Sequence, residues 1–592
     1  MEFREAQVVR GRLFRLLALL LFGILLTNLL VLTVAQHDYY RNRALKNRQV
    51  QFRVPAPRGR ITDRDGVPLA DNTFNSDITV SASQFADGQP DSALSWLLRW
   101  FDLPPEETLA DLEAQVARHG GRGRAVLVRG ADMRQLTTVE ERRSRLPGVR
   151  VESRWRRRYL HGSLLTHVIG YTGEVGPDDL RDAAPGMDYR VGDYIGKQGV
   201  EEAFEEQLRG GTGIKLEEVN ATGRIVGRES VWIRAVRPGR DVALTLSLPL
   251  QMAMDSLMAG RRGCGVALAV PSGEVLAAVS LPSFDANIMT GAISTDQWRE
   301  LSEDPAKPFF NRLVQATYPP GSLYKAVTSL AGLARGVVDT GSVLEPCPGG
   351  YQFGNRWFRC WKAAGHGVLD HAGALANSCD VFYYQLGLRL ELADLAEAAA
   401  VFGLGQRLTG IYPGEAAGNV PTDDWYNRRM GVGGWTRGVL LNNAIGQGEI
   451  LVTPLQMVFL SARLAADGRV PGPTFVQGQQ PAVPTVNLPY RPSHMAWIRS
   501  ALRQVVDAGT GGAARLAGVA VAGKTGTAQN PHGDDHAWFM CYAPAEAPEV
   551  AVAVILENAG HGGSEAAPVA GAWLREYFDW RHGIRPGIGG DS

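Results

Sequence analysis

The chain has 592 residues, 45% hydrophobic and 21% charged, with 61 Lys+Arg against 61 Asp+Glu. That length exceeds one ordinary domain, and the composition is globular, which excludes disordered and fibrous classes. A net charge of zero argues against a general nucleic-acid binder, although it sums a basic start and an acidic remainder: the first 64 residues hold 12 basic and 4 acidic side chains, leaving 49 and 57.

Residues 16–35 (LLALLLFGILLTNLLVLTVA) carry no charge and are long enough to span a bilayer as a helix. A signal peptide cleaved near Thr33-Val34-Ala35 is the competing reading, but its apolar region would be shorter, so a retained anchor over 16–36 is expected. Arg4, Arg10, Arg12 and Arg15 precede the span, and Arg41, Arg43, Lys46 and Arg48 follow it. These flanking charges leave its orientation open. Residues 37–240 mix short strand-like runs (77–81, 125–128, 167–171) with Arg-rich polar stretches, and 91–119 has a helical stripe of Leu94, Leu97, Leu98 and Phe101.

The character changes near Pro238-Gly239. Residues 241–248 alternate like a strand and lead into a helix with Leu250, Met254 and Leu257. Residues 264–270 and 274–280 flank a Pro-Ser-Gly turn and read as a hairpin. Residues 519–522, 538–543 and 550–556 are further strands, and the region between is helical with glycine punctuation. Strands at both ends with helices between imply an α+β fold whose sheet is closed by its first and last segments. Residues 470–492 are Pro-rich and read as a surface loop.

Only seven of the 61 basic residues are lysines (46, 197, 215, 307, 325, 362 and 524). Arg cannot give up its proton in a protein whereas Lys can, so the few lysines are places to look for chemistry. Two fall in motifs. In Tyr318-Pro-Pro-Gly-Ser322-Leu-Tyr-Lys325 a turn leads into a helix marked by Leu323, Val327 and Leu330, with Lys325 on the same face as Ser322. A serine nucleophile needs a base, and a desolvated lysine can be one. An N-capping serine followed by a snorkelling lysine would give the same four letters. In Ala522-Gly-Lys524-Thr525-Gly526-Thr527-Ala528 an amine and two hydroxyls suit a carboxylate, and K-T-G-T arises by chance only roughly 0.002 times in such a chain. A phosphate loop is disfavoured because the upstream glycine pattern fails. Ser378-Cys379-Asp380 supplies a second serine able to relay a proton, with Asp380 beside it.

Ser322, Lys325, Ser378 and Lys524 keep the order of the S-x-x-K, S-x-[ND], K-T-G constellation of penicillin-recognising enzymes. Pro57-Arg58-Gly59-Arg60-Ile61-Thr62-Asp63-Arg64-Asp65-Gly66, His167-Val-Ile-Gly-Tyr171, Gly196-Lys-Gln-Gly199-Val-Glu201 and Gly446-Gln447-Gly448 add to the match. The chain therefore resembles the class B penicillin-binding proteins. Asp380 in place of the usual asparagine points to their elongation-specific branch, penicillin-binding protein 2, while Tyr159-Leu160 departs from the expected Tyr-Pro.

The resemblance implies a peptidoglycan D,D-transpeptidase: a cytoplasmic tail (1–15), the anchor (16–36), an elongated mixed α/β pedestal (37–240), a transpeptidase domain with a central antiparallel sheet flanked by helices (241–580) and a flexible tail (581–592). Ser322 would be the nucleophile, Lys325 the base and Ser378 the relay. Lys524, Thr525, Gly526 and Thr527, with Asp380, would bind substrate, and the Ser322 and Thr527 amides would form the oxyanion hole. Stem peptides ending in D-Ala-D-Ala and β-lactams would be ligands, a SEDS-family glycosyltransferase and other elongation-complex proteins the partners, and the periplasmic face of the bacterial inner membrane the location. The chemistry would need no cofactor. A serine β-lactamase and a membrane-anchored β-lactam sensor share the three motifs. The former lacks an obvious deacylating glutamate here, and the latter would have only about 15 residues to signal with.

Separately, Cys347, Cys360, His366 and Cys379 fall within 33 residues, and a Cys₃His set would satisfy tetrahedral structural zinc. A Cys347–Cys360 disulfide with Cys379 packed beneath the site, or three free thiols, are the alternatives. Cys264 and Cys541 read as core.

Overall fold

Side chains that alternate in the sequence alternate between two cores. The computed structural model describes residues 2–41, 49–85, 89–118, 124–182, 187–190, 192–218, 231–291, 293 and 295–584. His119, the flanking Arg43, Lys46 and Arg48, and residues 585–592 of the expected tail lie outside these. Five strands form one antiparallel sheet in the order Val275–Leu281, Gly263–Ala269, Val550–Leu556, His536–Ala543, Ala522–Ala528. The first hairpin thus lies beside the last strand, and the two ends of the domain close the sheet. Cys264, Val266 and Leu268 face one core with Ala551, Ala553 and Ile555. Ala267 faces the other, with Val550, Val552, Val554 and Leu556.

The first core is filled from Lys325–Arg335, Pro454–Ala465 and Pro492–Asp507, the second from Leu248–Met258 and Ala566–Arg581. Burial on both faces explains why 550–556 (VAVAVIL) has no polar position at all. At about 1.5–3 kcal/mol per buried Val or Ile, this strand alone contributes substantially to folding.

The chain divides into two compact units, Arg58–Leu208 with Arg240–Ser592, and Met1–Pro57 with Arg209–Gly239. In the first, Ile61–Thr62 pairs in parallel with Val242–Ala243 and antiparallel with Pro68–Ser81, which also takes Arg124–Val128 and Val149–Tyr159. The motifs quoted from 57–66 and 196–201 meet, together with Glu205, in a buried ion network. Arg58 bridges Glu201 at 2.7 Å and Glu205 at 2.8 Å, and Arg157 holds Glu201 at 2.6 Å. Each carboxylate removed from water here is matched by a guanidinium, without which the burial would be prohibitive. In the second unit, the helix Glu2–Leu30 continues through a π-helical turn, Val31–Ala35, and three strands, Gln49–Val54, Gly213–Glu218 and Val231–Arg234, form a small sheet. Among the described residues one helix is long and apolar enough to cross a membrane, Gly11–Ala35, and its leucines are exposed as a single-pass anchor requires.

Several local readings change. Residues 167–171 are not a strand: Thr166–Ile169 is a helical turn, the run being too short for periodicity to separate the two. Of 241–248 only Val242–Ala243 is a strand, with Leu244 adding a single antiparallel bridge to Val476, and 91–119 holds two helices, Ser92–Trp100 and Pro105–Arg118. The Pro-rich 470–492 segment is only partly a surface loop, because Val470, Phe475 and Val476 are buried.

Candidate active site

Ser322 lies in the 3-10 turn Gly321–Tyr324 that leads directly into the helix Lys325–Arg335. The turn sits against the edge strand Ala522–Ala528, and glycine makes the approach feasible. A Cβ on Gly321, whose φ is +54°, would lie 2.5 Å from the Thr527 carbonyl oxygen, and one on Gly526 would lie 2.9 Å from Leu323. The Gly446-Gln447 segment closes the same place. Gly321 N–H donates to the Gly446 carbonyl at 2.8 Å, and the Gln447 side chain donates to the Thr527 carbonyl at 3.0 Å. Lys524-Thr525-Gly526-Thr527 therefore does not follow a strand, as the sequence suggested; it is the strand.

Lys325 is fully buried, and its three hydrogens are engaged: Nζ donates to Ser378 O at 2.9 Å, Ser378 Oγ at 3.3 Å and Asp380 Oδ1 at 2.7 Å. An ammonium has three donors and no acceptor, so this is the geometry of a protonated amine paired with a carboxylate. Its charge also lies over the Tyr383 ring, 5.4 Å from the centroid. Ser378 follows the helix His371–Ala376 and adopts a φ of +53°, a left-handed conformation a non-glycine residue holds only when its surroundings demand it. From the other side Lys524 Nζ lies 3.1 Å from Ser378 Oγ and donates to Thr525 O at 3.0 Å. Burial, and then repulsion from Lys325, drive the Lys524 amine well below its ordinary range, with Asp380 only partly opposing. One hydroxyl thus sits between two amines, one charged and one biased to neutrality.

Two side chains at this site were not singled out from the sequence. Trp361 donates its backbone N–H to Asp380 Oδ2 at 3.0 Å and its indole N–H to the carbonyls of Asn377 and Ser378, each at 3.1 Å. It brackets the Ser378-Cys379-Asp380 turn. The Thr510 hydroxyl lies 2.6 Å from that of Thr525. Neither lies in a recognisable pattern. The metal candidates come together: the ligand atoms of Cys347, Cys360, His366 and Cys379 all lie within 4.8 Å of one another, and the thiols are free.

The penicillin-binding protein transpeptidase domain family matches residues 263–575, and the penicillin-binding protein dimerisation domain family matches residues 53–244. The chain belongs to the penicillin-binding protein transpeptidases. Within them it is similar to the peptidoglycan D,D-transpeptidase MrdA of Acinetobacter baumannii, with 31% identity over 96% of this chain and 88% of that one. It also resembles solved structures. A complex between penicillin-binding protein PBP2 and MreC from Helicobacter pylori superposes with a TM-score of 0.77 at 26% identity, over 91% of this chain and 99% of that one. A peptidoglycan synthase complex solved for its coordination of polymerization and crosslinking matches with a TM-score of 0.71 at 28% identity, over 99% and 100%. The family places the edge strand, the 3-10 turn and the Ser378 segment of this penicillin-binding protein in its transpeptidase domain.

Proposed function

We propose that this penicillin-binding protein is a peptidoglycan D,D-transpeptidase that cross-links stem peptides during cell-wall elongation through an acyl-enzyme on Ser322, and that β-lactams acylate the same serine. The observation that carries the reading is the meeting of two buried lysines, from two distant motifs, at Ser378 Oγ, 3.3 and 3.1 Å away. Lys325 must lose a proton before it can take one from Ser322. Ser378 bonds both amines, so a proton passed from Lys325 to Ser378, and from Ser378 to Lys524, leaves Lys325 neutral and Lys524 charged. The new charge lies where the donor's terminal carboxylate would bind, so binding itself favours the primed state.

Ser322 Oγ then attacks the penultimate D-Ala carbonyl, giving its proton to Lys325, and the oxyanion is received by the Ser322 and Thr527 amides. The C–N bond to the terminal D-Ala breaks as its nitrogen takes a proton through Ser378. An amine from a neighbouring stem attacks the ester, loses its proton to the same base, and Ser322 leaves with a proton restored. Intact mass after penicillin treatment is expected to rise by one drug molecule, mapped to Ser322 and lost in Ser322→Ala. Drug turnover without a lasting adduct would indicate a β-lactamase and sink the reading.

The Cys₃His cluster fits structural zinc. Tetrahedral Zn–S of about 2.3 Å and Zn–N of about 2.0–2.1 Å require S···N separations near 3.6 Å. His366 Nδ1 lies 3.7 Å from Cys347 Sγ and 3.5 Å from Cys360 Sγ. A hydrogen bond from Cys379 holds the Cys360 thiol below its ordinary range, with burial opposing, which favours the thiolate a metal needs. Zinc would tie the Cys360-Trp361 loop to Cys379, hence to the N–H that holds Asp380. Purified protein is expected to carry one zinc per chain. Cys360→Ser is expected to lose it, lower Tm and slow penicillin acylation by about 10-fold; metal-free protein with wild-type Tm would refute the assignment.

For location we propose a single pass through the bacterial inner membrane with the catalytic domain in the periplasm, supported by the apolar helix and by family membership; protease added to spheroplasts should digest the domain. A SEDS-family glycosyltransferase and other elongation-complex proteins are the partners we propose, supported by the likeness to the MreC-bound and synthase-complex structures. Co-purification tests this.

A further inference from the structure

Thr510 lies three residues past the helix Pro492–Asp507, outside all the sequence motifs, and touches one of them and the approach to another. Its backbone N–H donates to the Ala376 carbonyl at 3.3 Å, two residues before Ser378. Its hydroxyl lies 2.6 Å from the hydroxyl of Thr525. The approach is tight on every side: a Cβ on Gly509 would come within 2.3 Å of the Ala376 carbonyl oxygen, and one on Gly563 within 2.7 Å of the Thr510 carbonyl oxygen. Thr510 is therefore held by backbone packing against Thr525, which is itself buried.

A hydroxyl has one proton and two lone pairs. At 2.6 Å one of the two protons must lie in the shared bond. Were it that of Thr525, this side chain would turn lone pairs towards an incoming carboxylate. Were it that of Thr510, the Thr525 proton would be free to point at the carboxylate. An anion at this place selects the second arrangement. We propose that Thr510 is a positioning residue for the transpeptidase: it donates into Thr525 and thereby aims the Thr525 hydroxyl at the terminal carboxylate of the donor peptide, or at the carboxylate of a β-lactam. This rests on the proposed role of Thr525 in carboxylate binding.

The test is the second-order rate of Ser322 acylation in the detergent-solubilised full chain, using a penicillin and the same penicillin as its methyl ester. Thr510→Val, which replaces the hydroxyl by a methyl of similar size, is expected to lower the rate for the free acid by about 10-fold and to leave the ester nearly unchanged. Thr510→Ser is expected to restore the acid rate. Thr510→Val added to Thr525→Val is expected to cost nothing further, because the first residue acts through the second. Should the valine variant fail to fold, Thr510→Ala serves as the truncation. An unchanged acid rate would overturn the proposal, as would equal losses for acid and ester, or losses that add on top of Thr525→Val. A wild-type chain that is never acylated would instead bring down the functional reading, and this inference with it.

Discussion

Lys325→Met is expected to slow penicillin acylation of Ser322 by about 10³-fold, the range for loss of a positioned general base. Methionine keeps an unbranched stem in a fully buried slot, so the change removes the amine with little change in packing. It also leaves Asp380 without its partner at 2.7 Å, although Asp380 keeps the Trp361 N–H at 3.0 Å. Breaking a buried pair costs about 3–5 kcal/mol when one charge is stranded. A fall in Tm could therefore be mistaken for the catalytic effect. Two further variants separate them. Lys325→Met with Asp380→Asn removes the stranded charge and is expected to recover much of the Tm without recovering acylation. Lys325→Arg keeps a cation facing Asp380 but cannot release a proton, and it is expected to be as slow as methionine. An arginine variant acylating within about 10-fold of wild type would show that Lys325 serves as a fixed charge and not as a base.

What the sequence made legible was chemistry of unusual composition and cores of strong periodicity. Lysine is scarce enough that Lys325 and Lys524 stood out, and the 264–270 and 274–280 hairpin was readable because both strands are bounded by a turn and rich in Val, Ala and Leu. Lys197, by contrast, is a structural ion pair with Asp179 at 2.5 Å, so rarity did not mark every lysine as chemical. The strand Ala522–Ala528 was placed too early, at 519–522, because Val-Ala-Val-Ala is the more strand-like run and glycine, lysine and threonine are not apolar. Here the context of an edge strand, against which the Ser322 turn must pack, outweighs propensity. Trp361 and Thr510, and the contact that Gln447 makes, were illegible for another reason. Each acts through a hydrogen bond to a residue 15 to 80 positions away, and no local pattern encodes which carbonyl or hydroxyl the fold will bring to it.

The second large effect is acid lability. His167 and His371 are both buried, and burial, the dominant cause, holds each at about 4 instead of the usual 6.5. Around His167, the nearby Pro282 carbonyl is the main influence against burial, Arg312 adds repulsion, and the Pro308 carbonyl opposes least. Around His371, the Asp339 carbonyl and the charges of Asp370 and Asp339 pull the other way without overcoming burial. In the unfolded chain both imidazoles bind protons near pH 6.5, whereas in the folded chain they resist until about pH 4. Between those values the unfolded state holds more protons, so stability is complete above 6.5 and is lost as the pH falls towards 4. The loss is roughly 3 kcal/mol per histidine, or about 6 together, comparable with the whole stability of an ordinary domain.

His371 also links acid to the active site. Its Nε2 lies 3.0 Å from Ser329 Oγ, which lies 2.8 Å from the Tyr383 hydroxyl, and the Tyr383 ring underlies Lys325. Protonation of Nε2 would turn that chain around and unsettle the ring beneath the catalytic amine. Thermal melts of wild type are expected to fall steeply between pH 6.5 and 4.5. Neither ring nitrogen of His167 makes a hydrogen bond of ordinary geometry, the Pro282 and Pro308 carbonyls being merely close, so His167→Phe preserves its edge-on contact with Phe284 and is expected to remove about half of that pH dependence while changing Tm little at pH 7.5. An unaltered slope in the phenylalanine variant would place the acid sensitivity elsewhere in the fold.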